Sequence, residues 1–178
     1  MPHIKLDNQF PGIVGLMEYR PETGRALRGL AHALLVEDSS LSRAERELIA
    51  SYVSWLNECQ FCCRSHSAVA SALLDGDKSI VEQVKRDYKT ADISDKMKAL
   101  LEIAGQVQKK ALGVSPEMMA KARAAGASDA CIHDAVLVAS AFCMFNRYVD
   151  GLATFAPAEE HAYDMMAVRL KNEGYLKV

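Results

Sequence analysis

Apolar positions along the chain recur mostly at intervals of three and four. From Arg25 to Val36, Leu27, Leu30, Leu34 and Leu35 fall on one helical face, and Glu37-Asp38-Ser39-Ser40 interrupts the pattern. Ser42 followed by Glu45 has the spacing of a capping box, and Leu48, Ile49, Tyr52, Val53 and Leu56 continue at a period near 3.6. After Asn57 and a cysteine-rich stretch come Ala68, Val69, Ala72 and Leu73, halted by Asp75-Gly76-Asp77. Further helices are predicted over Ile80 to Tyr88 and Ser94 to Leu112, and from Ser115-Pro116-Glu117 to Gly126. Cys131 to about Leu152 is the most apolar of them, and a last helix opens at Pro157–Glu160 and ends near Gly174. No run of five or more residues alternates as a strand would. The expected fold is all-α, about seven or eight helices in a single domain over residues 1–178, with 1–24 an irregular arm punctuated by Pro11, Gly12, Pro21 and Gly24.

Composition narrows the function more than the fold. A chain of 178 residues with 21 basic and 23 acidic side chains carries a net charge of -2 and no basic stripe, which gives no field suited to nucleic acid or an anionic membrane. No signal-peptide pattern is visible at the N-terminus, and the apolar stretch Ala135–Phe145 is too short to span a bilayer. The expected location is the cytoplasm, where most thiols stay reduced. The same apolar stretch exceeds what one helix face buries in a small monomer, and points to a homo-oligomer.

The chemistry concentrates in Cys59-Gln-Phe-Cys62-Cys63-Arg-Ser-His66. On a helix, Cys59 and Cys62 stand i,i+3 and Cys62 and His66 stand i,i+4, so all three share a face. Two sulfurs at that spacing can close a small disulfide, and His66 can serve Cys62 as a base or stabilise its thiolate. Asn57 can cap the new helix, leaving free amides near Cys59 that favour a thiolate. Cys63 is i−3 to His66, so periodicity alone leaves it able to replace Cys62. Glu47, on the preceding helix, would return close to His66 if two antiparallel helices meet around Asn57, and would then orient the imidazole. Glu45 is explained by Ser42, and Glu58 by the helix start. Buried structural cysteines and a three-ligand zinc site are the competing readings; no second ligand pair for zinc is evident, and neither a metal nor a cofactor is expected. Of the remaining candidates, Cys131 and His133 face different ways, Cys143 reads as packing, and Trp55 is a core residue or a pocket wall. Asn146 and Arg147 close an apolar helix or meet a substrate or second subunit, and His3, His32 and His161 have no recognisable partner.

The stretch Leu41 to His66, with its Glu-x11-Cys-x2-Cys-x3-His pattern, resembles the AhpD-like, carboxymuconolactone decarboxylase superfamily, in its peroxidase-related branch. The resemblance extends from Pro11, through Arg20-Pro21-Glu22, to Phe145–Gly151. It implies an all-helical, oligomeric protein that reduces hydroperoxides. By that resemblance Cys62 attacks the peroxide, Cys59 resolves the sulfenic acid, His66 activates the thiol and Glu47 supports the histidine. A dithiol reductant, lipoylated or thioredoxin-like, would restore the pair. The alkylhydroperoxidase proper has a second histidine where this chain has Phe61, which implies a shorter proton relay, and Cys63 lies outside the core pattern. Decarboxylase members lack the cysteine pair. Disulfide exchange or redox sensing, and a binding protein with incidental thiols, remain the alternatives.

Overall fold

Four serines set the helix starts. Ser42, Ser94, Ser115 and Ser128 each accept a hydrogen bond from the backbone N–H three residues on, and Glu45 returns the favour to the Ser42 amide. Each such cap is worth about 1 kcal/mol. The computed structural model describes residues 1–177, which form α1 (Gly12–Tyr19), α2 (Pro21–Leu35), α3 (Arg43–Leu56), α4 (Gln60–Leu73), α5 (Ser79–Asp87), α6 (Asp95–Lys110), α7 (Pro116–Ala124), α8 (Asp129–Gly151) and α9 (Glu160–Glu173). A 3-10 turn at Ala111–Gly113 follows α6, and there is no strand among the described residues.

α3 and α4 form a tightly packed antiparallel hairpin. α8 lies across α3 and α6, and α9 packs along α4. The core between them is built from Leu35, Ile49, Val53, Leu100, Ile103 and Phe142, all essentially inaccessible. Burial of side chains of this size contributes about 1.5–3 kcal/mol each. α8 crosses this core through Ala135, Val138, Ala139, Phe142, Phe145 and Val149, while Leu137 and Met144 on its other side stay exposed. At 23 residues it is longer than the apolar run inside it, and is the one helix among the described residues long and apolar enough to cross a membrane. Half of its apolar window is nevertheless buried against the other helices.

Three local expectations need correction. The segment expected to be an irregular arm contains α1, and α2 begins at Pro21, with proline in the first turn where its missing N–H costs nothing. α1 is only eight residues long and includes Gly12 and Gly15, so it leaves little helical periodicity in the sequence. Asn57 does not cap α4. It ends α3, and the cap position of α4 is Cys59, which supplies no side-chain cap. The reversal is a Schellman turn: the Cys59 amide donates to the Ser54 carbonyl and the Glu58 amide to that of Trp55, with Glu58 left-handed at φ 60°. Lastly, His32 is partnered. Its Nδ1 accepts from the Tyr175 amide at 3.2 Å, and its Nε2 lies 3.3 Å from Glu37.

Candidate functional site

The Schellman turn decides where the sulfurs go. With only Asn57 and Glu58 between the α3 carbonyls and Cys59, α4 runs straight back along α3 and sets Cys62 and His66 against it. Glu47 is thereby brought to His66 from the facing helix, its Oε2 2.7 Å from His66 Nδ1. Glu47 is fully buried, and His66 is nearly so. The other carboxylate oxygen, Oε1, accepts a hydrogen bond of 2.5 Å from the Tyr175 hydroxyl. The carboxylate accepts at both oxygens when Nδ1 carries the ring hydrogen, which leaves Nε2 as the basic atom. Phe142 meets the imidazole edge-on at 4.5 Å and Tyr175 lies nearly parallel to it at 6.0 Å, so the ring is held on two sides.

Tyr175 was not visible from the sequence. It lies just beyond α9, outside any helical period, and reaches the site through three devices. Arg43 donates to the carbonyls of Leu170 and Lys171 and fixes the end of α9. Gly174, at φ 71°, turns the chain where a Cβ would stand 2.6 Å from the His32 ring. His32 then anchors the Tyr175 backbone. Burial, reinforced by Glu47, pushes the Tyr175 hydroxyl well above the usual phenol range, so it remains a donor. The lone Gly174 after the last helix, directly before an aromatic residue, is the one signal the sequence offers.

All five cysteines are free thiols, and Cys59, Cys62 and Cys63 are buried. Cys62 lines a cavity of about 80 Å³ together with Ser65, His66 and Phe61, walled by Ile13, Val14, Met17, Phe142 and Phe145. No hydrogen bond joins Cys62 to the His66 ring; the two share the cavity. Cys59 and Cys63 line a different depression of about 570 Å³, with Trp55, Glu58 and Lys85, and no residue borders both. Trp55 is half exposed on that outer side and does not wall the cavity. The interaction with Cys62, and then burial, pushes the Cys59 thiol up, so Cys59 keeps its proton; the Cys62 amide pulls the other way and loses. The expectation that free amides would make Cys59 a thiolate is therefore overturned. Burial also raises Cys63, whose sulfur turns towards Ser67.

The other candidates take structural places. Asn146 is buried, donates to Ser54 Oγ, and accepts from Asn57, which in turn accepts from Gln108, so this chain of amides ties α3, α6 and α8 together. Arg147 donates back to the Cys143 carbonyl. Cys131 donates weakly to the Ser40 carbonyl at 3.8 Å, and His133 pairs with Asp134 at the surface. Among the described residues no group of three or more His, Cys, Asp or Glu side chains is placed to hold a metal.

Comparison with known proteins adds to this geometry. Residues 21–82, from α2 into α5, match the carboxymuconolactone decarboxylase family. An uncharacterized peroxidase-related protein from Silicibacter sp. TM1040 superposes with a TM-score of 0.77 at 27% identity, covering 85% of this chain and 78% of that one. An uncharacterized peroxidase-related protein from Ralstonia eutropha JMP134, described as an alkylhydroperoxidase AhpD core, gives 0.78 at 25% identity, covering 88% and 80%. A protein of unknown function from Agrobacterium tumefaciens shares the fold, with a TM-score of 0.70 at 24% identity over 81% of this chain and 97% of that one. No curated protein matches the chain.

Proposed function

We propose that this chain, which belongs to the AhpD-like, carboxymuconolactone decarboxylase superfamily, is a thiol-dependent peroxidase of the peroxidase-related branch. The observation that carries the reading is the cavity shared by Cys62 and His66, with Glu47 and Tyr175 behind the imidazole. In this mechanism His66 Nε2 takes the Cys62 proton. The thiolate then attacks the terminal oxygen of ROOH, the O–O bond breaks, and the departing RO⁻ takes the proton held by His66 to give ROH. Cys62, now a sulfenic acid, is attacked by the Cys59 sulfur as that thiol gives up its proton; the S–O bond breaks, the proton leaves with the hydroxyl as water, and a disulfide forms. An external dithiol, from a lipoylated or thioredoxin-like protein, reduces that disulfide and is itself oxidised.

The decisive experiment is a single turnover. One equivalent of ethyl hydroperoxide is added to the reduced protein, which is then quenched, alkylated and mapped by mass spectrometry. A rapid Cys59–Cys62 disulfide supports the reading, and thiols unchanged over minutes in folded protein refute it.

Disulfide exchange is the second reading, favoured by the place of Cys59 and Cys63 beneath the outer depression rather than the cavity. Faster oxidation by a disulfide substrate than by peroxide would select it. Assembly as a homo-oligomer belongs to the same proposal, supported by the exposed Leu137 and Met144 of α8. So does a cytoplasmic location, where a dithiol donor would be at hand.

A further inference from the structure

Serines inside helices ordinarily satisfy their hydroxyls on the preceding turn, as Ser140 does here by donating to the Val136 carbonyl at 2.8 Å. Two of the buried serines of the α3–α4 hairpin find other partners: Ser51 pairs with Ser67 at 2.8 Å, and Ser54 accepts from Asn146. Ser65 does neither. It is 3% exposed, and its Oγ is buried with no hydrogen-bond partner. The other such buried atom among the described residues is Arg43 Nε, in a guanidinium whose remaining nitrogens already bind the end of α9. Ser65 is thus a wholly unpartnered hydroxyl, and it lines the cavity with Cys62 one turn before it and His66 immediately after. Leaving a buried hydroxyl unmatched costs stability, and in native proteins such exceptions are few and call for a cause, a catalytic role among them.

We propose that Ser65 is a substrate-contacting catalytic residue whose hydroxyl donates to the alkyl-bearing oxygen of a bound hydroperoxide. The inference rests on the peroxidase reading and deepens it. When the Cys62 thiolate attacks the terminal oxygen, the electron pair of the O–O bond moves onto the oxygen that bears R. A hydroxyl donor in the wall of the cavity, beside Cys62 and His66, stabilises that charge as it develops, until the proton on His66 arrives and ROH leaves. Ser65 transfers no proton in the net reaction; Cys62 is oxidised to the sulfenic acid and the peroxide is reduced to the alcohol. The cavity of about 80 Å³ sets the substrate class. An apolar cavity that holds benzene measures about 150 Å³, so this one takes small alkyl hydroperoxides in preference to aryl ones.

The test compares wild type, Ser65→Ala and Ser65→Thr in two reactions of Cys62 in the whole protein, each under single-turnover conditions: oxidation by ethyl hydroperoxide, and alkylation by iodoacetamide. Alkylation needs the thiolate but no donor on a peroxide oxygen. Ser65→Ala is expected to slow oxidation by roughly 10- to 100-fold, to leave alkylation within about twofold, and to melt no lower than wild type, because it removes an unmatched hydroxyl. Ser65→Thr, compared with wild type and Ser65→Ala on hydrogen peroxide as well, to spare room for its methyl group, is expected to recover most of the rate that Ser65→Ala loses there. Oxidation of Ser65→Ala at the wild-type rate would overturn the inference, and so would an equal loss in both reactions, which would mark a structural role. If wild type itself fails to react with peroxide, the peroxidase reading falls and takes this inference with it. Failure confined to the Ser65 comparison leaves that reading intact.

Discussion

Glu47→Gln isolates the charge behind the imidazole with little change of shape. The glutamine oxygen can accept from His66 Nδ1 while its amide donates to the Tyr175 oxygen, so the buried hydrogen-bonding groups around position 47 keep most of their partners. What disappears is the negative charge that, on the peroxidase reading, stabilises His66 once it has taken the Cys62 proton. The closest atoms are 2.7 Å apart, which places the two charge centres about 4 Å apart, worth about 4 kcal/mol at an effective dielectric constant near 20. His66 retains some exposure, and Arg43 and Arg169 lie near enough to influence the adjoining Tyr175. Discounting the interaction by half leaves about 2 kcal/mol, or roughly 30-fold in rate, while the undiscounted value corresponds to roughly 1000-fold. Oxidation of Cys62 by ethyl hydroperoxide, followed by stopped flow at pH 7, is therefore expected to fall between those limits. Alkylation of Cys62 by iodoacetamide should fall with it, because the thiolate itself is lost. The thermal midpoint should move by no more than about 3 °C. A Glu47→Gln protein that oxidises within threefold of wild type would refute the account of the carboxylate as the histidine's electrostatic support.

Other consequences can be measured just as directly. Tyr175→Phe keeps the ring beside His66 but withdraws the donor from Glu47, and should slow Cys62 oxidation by about 3- to 10-fold, with the pH–rate profile displaced; an unshifted profile would count against a role for the hydroxyl. Gly12→Ala builds a Cβ 2.1 Å from the Phe61 ring at a backbone φ of 53°, and is expected to destabilise the fold by at least about 2 kcal/mol in a urea titration. Glu58→Gly relieves a left-handed residue in the α3–α4 turn, so it should raise stability by about 1 kcal/mol; a loss of stability would mean that Glu58 makes a favourable interaction of its own. Cys59, Cys63, Tyr52 and Tyr175 all hold their protons more tightly in the folded chain, Tyr52 by burial up to about 12. Below the ordinary values of 9.0 and 10.0 that stabilisation is complete, and it is lost as pH rises past them. The thermal midpoint should accordingly drop between pH 9 and 12, and a flat profile would contradict these assignments.

What could be read in the sequence was what periodicity and short-range chemistry encode. The Ser42–Glu45 box and the spacing from Leu48 to Leu56 fix α3, and the i,i+4 step from Cys62 to His66 fixes one face of α4; together they bring Glu47 to the imidazole. Tyr175 could not be found this way, because its contact with His66 spans 109 residues and depends on a glycine turn and a histidine anchor, not on a repeat. Asn57 looked like a cap because asparagine favours that position. A Schellman turn with glutamate in the left-handed region leaves no compositional mark, and the backbone bonds of residues 54–59 outweighed the side-chain preference. The Cys59 thiolate was expected from a local amide that does act as supposed, but burial and the neighbouring sulfur are tertiary effects and outweigh it.

The two buried cysteines border separate hollows, and this has a kinetic meaning. Because no residue borders both the cavity at Cys62 and the depression at Cys59 and Cys63, oxidant and reductant on the peroxidase reading enter by different doors. High peroxide concentrations should not block reduction by occupying the donor's place, and a bulky protein dithiol never has to enter the narrow chamber where the O–O bond is broken. The disulfide then joins the two hollows across the first turn of α4, passing electrons inward while the alcohol leaves on its own side.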